Sequence, residues 1–391
     1  MKKLALMLPA MRTGGAEKVA LNFLPHLQKY FDVTLVLNQV EGELLNEVES
    51  SMPIVEDRLL DYYEILKEDL RHIRLTYLFK DFLYYIRVKS KWNQEENYRY
   101  LINRTPALDY KFDVAISYVA NVSTQIFSII DRTNADVKIA WIHGETTQLK
   151  DTNLFQELFV RFDKIFVVSA ASAKHFIERF PMCATKTEVF YNYINKDIII
   201  KKAEEPMDIS YSDSYINIVS VGRLSPEKGF DMIPEIVFIL KKKNYNVRWY
   251  IIGEGPVRKI IEEKKRLYSL DNNIFCLGNK KNPYPYIKNC DIYVQPSYEE
   301  GYSTTICEAG ILGKAIVGTK TSGGIREQIS DGTSGLLADP TPQDLAKKID
   351  LLIKDKELKS IILKNIKKTD FSHDNEIHKL SFLTNKISTL D

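Results

Sequence analysis

The sequence lacks most of what would mark a secreted, membrane-spanning or nucleic-acid-binding protein. Only four of its 391 residues are cysteines: Cys183, Cys276, Cys290 and Cys307. None forms a Cys-x-x-Cys pair, so neither a disulfide framework nor a zinc site is expected, and free thiols in a reducing compartment fit better. No run of 18 apolar residues occurs, so no membrane span is expected. Lys2-Lys3 ahead of residues 4–11 imitates a leader, but the apolar stretch is short and no small-x-small site follows; a cytoplasmic chain is expected. The formal net charge is only +2, too little for a nucleic-acid footprint. Asp-x-Asp, the pattern that would hold a metal-bound diphosphate, is missing. Gly-x-Gly-x-x-Gly is missing too, since Gly14 and Gly15 are adjacent, and so is the lysine of a phosphate-binding P-loop.

What is present is an alternation of short apolar runs with helical periodicity. Residues 4–8, 32–37, 112–117, 137–142 and 164–169 read as strands in the first half. Residues 216–221, 249–252, 274–277, 290–294 and 315–318 read as strands in the second. Strand–loop–helix–strand units in series mean α/β domains with parallel sheets, and the length suits two of them. A first domain is expected over 1–200 and a second over 215–370. The polar stretch 201–214, with Glu204-Glu205-Pro206, reads as the linker, and 371–391 as a final helix.

The chemistry concentrates in Gln295-Pro296-Ser297-Tyr298-Glu299-Glu300-Gly301-Tyr302-Ser303-Thr304-Thr305-Ile306-Cys307-Glu308. A strand, a glycine-containing loop and a helix start follow one another here. The first N–H groups of a helix lack partners and its dipole favours an anion, so this is a phosphate site in outline. Glu300 in the loop and Glu308 a turn into the helix would reach different parts of one ligand. Thr305-x-x-Glu308 also fits a capping box, which would give Glu308 a purely structural task. Earlier, Gly222-Arg223-Leu224-Ser225-Pro226-Glu227-Lys228-Gly229 follows a strand. A diphosphate calls for such a pair, a forked guanidinium and a compact ammonium. His143 stands beside Gly144 at the end of a strand, where ligands meet open α/β sheets. Gly14 and Gly15 let the backbone approach a ligand closely. Between Lys67 and Lys91 there are seven Lys/Arg and three Asp/Glu among many aromatics. That region reads either as ordinary amphipathic helices or as a peripheral membrane contact over 67–92.

The run 222–340 resembles family 4 of the retaining glycosyltransferases. Glu300-x7-Glu308, Gly222-Arg223-Leu224-x-x-x-Lys228-Gly229, Gly323-Gly324-Ile325-Arg326-Glu327 and Asp331-Gly332-Thr333-Ser334-Gly335 carry the resemblance; it is weaker over the first 200 residues. The resemblance implies a GT-B fold, two doubly wound parallel-sheet domains facing across a cleft. It implies a metal-independent retaining hexosyltransferase with no cofactor. The partners would be a nucleotide-sugar, a UDP-sugar by expectation, and a glycan or polyprenyl-linked acceptor in surface polysaccharide synthesis. By that resemblance Arg223, Lys228, Glu300 and His143 are catalytic. Gly14, Gly15, Gly222, Asn282, Pro283, Gly301, Tyr302, Ser303, Thr304, Thr305 and Glu308 bind the donor. Glu300 would hold the sugar hydroxyls, Glu308 the ribose, and the loop at Asn282-Pro283 the base. Tyr302-Ser303 stands where Phe-Gly is frequent, which leaves the choice of sugar open. Two other classes stay open on the same residues: a nucleotide-sugar epimerase, and a non-catalytic partner subunit of an enzyme pair.

Overall fold

A computed structural model of the chain describes residues 1–12, 14–58, 62–71, 100–144, 146, 149, 152–320 and 323–380. The region 67–92 therefore lies outside the described residues except for its first turns, within the helix Tyr62–Arg71. The chain forms two units, the first of Met1–Val168, Ala173–Phe190 and the chain from His378, the second of Ser169–Ser172 and Tyr191–Ile377.

The first unit is built on a seven-stranded sheet, entirely parallel, in the order β3-β2-β1-β4-β5-β6-β7. Its strands are β1 (Lys2–Leu8), β2 (Phe31–Leu37), β3 (Ile54–Glu56), β4 (Lys111–Ser117), β5 (Asn134–Ile142), β6 (Lys164–Val167) and β7 (Thr187–Val189). Leu4, Leu6 and Leu8 alternate with Ala5 and Met7 along β1, and all five are buried. A parallel sheet is covered on both faces, so its central strands are apolar throughout rather than alternating. The helix Gly15–Leu27 follows β1 and buries Val19, Ala20, Phe23, Leu24 and Leu27.

The second unit repeats the plan with six parallel strands, ordered β10-β9-β8-β11-β12-β13. They are β8 (Ile216–Val221), β9 (Val247–Ile252), β10 (Ile274–Cys276), β11 (Ile292–Gln295), β12 (Ala315–Thr319) and β13 (Leu336–Ala338). Renumbered from its own first strand, this is the 3-2-1-4-5-6 order of the doubly wound dinucleotide-binding sheet. The chain reverses direction across the sheet between β8 and β11, and that switch point is where such sheets open a crevice at the strand ends. Buried polar groups fix the junction. Trp249 Nε1 donates to Ser220 Oγ (3.0 Å), whose hydroxyl donates to Val294 O (2.6 Å).

Two expectations about the chain's divisions are corrected. Residues 201–214 are not a free linker but part of the second unit. Tyr211 OH donates to Tyr286 O (3.1 Å), Lys288 pairs with Glu204 (2.6 Å), and Asp208 bonds to Lys280 and Tyr286. The polar composition that suggested a linker is the set of tethers. The tail, read as one helix, leaves the last helix Lys356–Ile366 through a turn and forms a 3-10 segment over Asp374–Leu380; the remainder lies outside the described residues. Lys379, in the first unit, donates to Val189 O (2.7 Å).

Candidate active site

The loops after β8 and β11 build the site, one from each side of the switch point. The β8 loop passes Gly222 and exposed Arg223, makes a 3-10 turn over Pro226–Lys228, and ends on Gly229 at φ +66°. A Cβ on Gly229 would stand 2.1 Å from Pro296 O, so glycine is required where the two loops touch. The Tyr298 and Glu299 N–H groups donate to Glu227 O (2.8 and 3.1 Å), closing the same contact from the other loop.

This brings together two residues that the sequence assigned to different tasks. Lys228 Nζ lies 2.7 Å from Glu300 Oε1 and 2.8 Å from Oε2. The Glu300 side chain is only 9% exposed and that of Lys228 23%. Beneath them runs a polar network that sequence reasoning missed. Tyr293 OH and Thr305 Oγ1 donate to Gln295 Oε1 (2.9 and 3.1 Å), Gln295 Nε2 donates to Ser297 Oγ (2.9 Å), and Ser297 Oγ donates to Glu300 Oε2 (3.2 Å). Tyr293, Gln295 and Ser297 are at most 1% exposed. Their only signal in the sequence was polar residues at the end of a buried strand.

The helix Thr304–Ile311 has Ser303 as its N-cap: Ser303 Oγ accepts from the Ile306 N–H (3.3 Å). The alternative capping box at Thr305 is not formed, because the cap lies two residues earlier and Glu308 is beyond the first turn. Ser303 cannot offer its own N–H to a ligand, since that group donates to Gln328 Oε1 (3.1 Å). Glu308, 5% exposed, receives a long contact from Tyr284 OH (3.5 Å). Glu308 thus meets the loop after β10, where Pro283 opens the helix Tyr284–Asn289. Asn282 Nδ2 is engaged with Lys202 O (2.7 Å) and Glu205 Oε2 (2.8 Å), and its Oδ1 accepts from the Tyr284 N–H (3.1 Å). Gly323 and Gly324 pack on the site loop: a Cβ on Gly323 would stand 1.6 Å from Glu300 O, and the Gly324 N–H donates to Glu300 O (3.1 Å).

In the first unit, Gly14 and Gly15 follow β1 at the start of a helix, and His143 follows β5. The His143 ring lies 4.5 Å from Tyr118 and stacks on Trp141 at 6.0 Å and 11°. Its Nε2 is buried with no hydrogen-bond partner among the described residues. Burial pulls its pKa down to about 3, so the imidazole is neutral at physiological pH. The thiols are equally unsuited to act as nucleophiles, since burial pushes Cys183 up to about 11 and Cys276, Cys290 and Cys307 up to about 12. No cluster of His, Cys, Asp or Glu able to hold a metal occurs among the described residues.

Two doubly wound parallel-sheet units, one with a lysine–carboxylate pair and a capped helix at its switch point, are the architecture of the GT-B glycosyltransferases. Residues 203–369 match the family Glycosyl transferases group 1. A relative in Campylobacter jejuni is 24% identical over 340 residues, covering 87% of this chain and 86% of its own. It is named an N-acetylgalactosamine-N,N'-diacetylbacillosaminyl-diphospho-undecaprenol 4-alpha-N-acetylgalactosaminyltransferase. The capsular polysaccharide biosynthesis glycosyltransferase CapM of Staphylococcus aureus is 27% identical over 168 residues, 43% of this chain and 44% of that one. Among solved structures, Anabaena Alr3699/HepE in complex with UDP superimposes with a TM-score of 0.70 at 18% identity, each chain covered in full. TarM of S. aureus gives a TM-score of 0.69 at 14% identity, over 98% of this chain and 100% of that one. At these identities the structural likeness speaks for the fold alone.

Proposed function

We propose that the chain transfers a sugar from a nucleotide-diphosphate donor, a UDP-sugar, to a glycan or polyprenyl-linked acceptor in surface polysaccharide synthesis. Transfer retains the anomeric configuration and needs no metal ion. The observation that carries this reading is the Lys228–Glu300 pair at the switch point of the second sheet. An ammonium has three donors. Two contacts to Glu300 leave one N–H of Lys228 for a phosphate oxygen, so one cation can join the sugar-binding carboxylate to the diphosphate.

The bond from sugar C1 to the diphosphate oxygen breaks with oxocarbenium-like charge on the sugar, as in glycoside cleavage. Negative charge grows on the leaving oxygen. Arg223, Lys228 and the helix start at Thr304 stabilise that charge where it develops. The acceptor hydroxyl attacks C1 from the face the diphosphate leaves, and its proton passes to the departing phosphate. The products are the glycosylated acceptor and the nucleoside diphosphate. Glu300 holds donor hydroxyls, Glu308 the ribose, and the loop around Asn282 and Pro283 the base. Gly222, Gly301, Tyr302, Ser303 and Thr305 shape the wall, while His143 acts on the acceptor side. No protein nucleophile is needed. Metal independence rests on the missing Asp-x-Asp in the sequence.

The test is incubation of the purified protein with UDP-sugars, with and without polyprenyl-diphosphate-linked glycans, in excess EDTA. NMR of the product then reads its anomeric configuration. Transfer with retention in EDTA is expected. Interconversion of sugar epimers without acceptor, an inverted product, or activity that returns only with manganese or magnesium would each overturn part of the proposal.

A further inference from the structure

The turn that follows the last helix of the second unit holds a histidine in a costly conformation. His373 has φ +54°, the left-handed region that residues other than glycine rarely occupy. Asp370 Oδ1 keeps it there by accepting from the Ser372 N–H (3.0 Å), the Ser372 hydroxyl (2.7 Å) and the His373 N–H (3.2 Å). Phe371 locks the segment from below, since its ring carbons lie 2.4 Å from where a Cβ on Gly310 would stand. Ser372 O accepts from the Ile194 N–H (2.9 Å). Strain maintained by this many contacts points to what the strained residue reaches.

What His373 reaches is the site loop. Its Nε2 is hydrogen-bonded to Tyr302 OH. The Tyr191 ring stacks on the imidazole at 5.1 Å and 24°, and Tyr191 OH donates to Glu327 Oε2 (3.1 Å). Tyr302 is 7% exposed and sits between Gly301 and the helix cap Ser303. A phenylalanine would fill the same space without making this bond.

We propose that His373 is a positioning residue for the donor. Through the Tyr302 hydroxyl it sets the loop 301–305 against the nucleotide diphosphate, so donor affinity depends on a residue that touches no donor atom. This rests on the reading of that loop as the donor site. Losing one net hydrogen bond corresponds to roughly a tenfold change in an equilibrium.

The test compares wild type with His373→Gly, Tyr302→Phe and the double variant. Three quantities are read: UDP affinity by calorimetry, KM and kcat in the transfer assay, and the melting temperature. Glycine adopts φ +54° without strain, so His373→Gly should keep its melting temperature. Each single variant should weaken UDP binding and raise the donor KM roughly tenfold with a smaller change in kcat, and the double variant should be no worse than the worse single one. Wild-type binding of UDP with unchanged affinity and KM in both singles, or losses that multiply in the double, would sink the positioning role alone. Failure of wild type to bind either UDP or GDP would remove the donor site itself, and this proposal with it.

Discussion

Lys228 and Glu300 illustrate how far a residue's chemistry could be read in advance. Their types and spacing were legible, because an acidic residue in a glycine loop before a helix, and a lysine after a strand, are local patterns. That they touch was not legible, since 72 residues separate them and the contact is made by the switch point of the sheet. The network of Tyr293, Gln295 and Ser297 stayed hidden for the same reason, because neutral side chains acquire a role only once burial places them under a carboxylate. Removing one charge-stabilising donor typically costs a hundredfold or so in turnover, and that is the expected loss for Arg223→Ala and for Lys228→Ala, with circular dichroism unchanged. Near wild-type turnover in either variant would remove it from the leaving-group role. Glu308→Ala should weaken UDP binding, whereas Glu300→Ala should leave it nearly intact and depress transfer; calorimetry with UDP giving the reverse order would mean their roles are exchanged. His143 supplies a pH test. Its pKa is lowered by burial to about 3, so the unfolded chain takes up a proton on this residue that the folded chain refuses. The stability tied to its neutral form is therefore complete above the unfolded value near 6.5 and is lost as pH falls toward 3. In an NMR titration the His143 ring resonance should not move between pH 7.5 and 5. A midpoint near 6.5 would show that the ring is solvated.

The β8 and β11 loops depend on each other, and this sets what each element tolerates. Gly229 and Gly313 have nearly equal positive φ, +66° and +67°, but different surroundings. A Cβ at Gly229 meets Pro296 O at 2.1 Å, while at Gly313 nothing lies within 4 Å. Alanine at Gly313 should cost only the backbone penalty of about 1 kcal/mol. Alanine at Gly229 should cost clearly more and lower transfer as well, because it pushes the two site loops apart. Equal melting temperatures for the two variants would refute the close approach. The strands flanking these loops were readable from their apolar runs, β8 to the residue and β11 to within two residues. The stretch 201–214 was misread because a tether and a linker have the same polar composition; only the partners Lys280, Tyr286 and Lys288 tell them apart. The Asn282 side chain bonds to Lys202 and Glu205 of that same stretch, so it anchors the loop proposed to hold the base. Over 371–380, the described part of the tail, the chain makes a turn and a 3-10 segment where an α-helix is expected, because Asp370 accepts from the Ser372 and His373 N–H groups and holds them in the turn.

For the whole molecule, the open question is where the acceptor is met. No helix among the described residues is long and apolar enough to cross a membrane. The Campylobacter relative is named for an undecaprenol-linked substrate. A basic, aromatic surface can visit an anionic leaflet without a span. The region 67–92 is the candidate, although most of it lies outside the described residues; where the structure does describe it, Lys67 and Arg71 are exposed and Leu70 is 59% exposed. Seven Lys/Arg against three Asp/Glu between Lys67 and Lys91 leave an excess of four positive charges, 7 − 3. Each cation near an anionic surface contributes about 1 kcal/mol and is screened by salt, which allows reversible association but not anchoring. Wild type should therefore float with anionic liposomes at low ionic strength and stay behind at high. A variant with Arg87, Lys89 and Lys91 replaced by glutamate should stay behind at both, with its melting temperature and UDP affinity retained, since none of the three belongs to the proposed donor site. Equal flotation of both proteins, or none by wild type at low salt, would return these residues to ordinary packing and leave a soluble glycan as the acceptor to pursue.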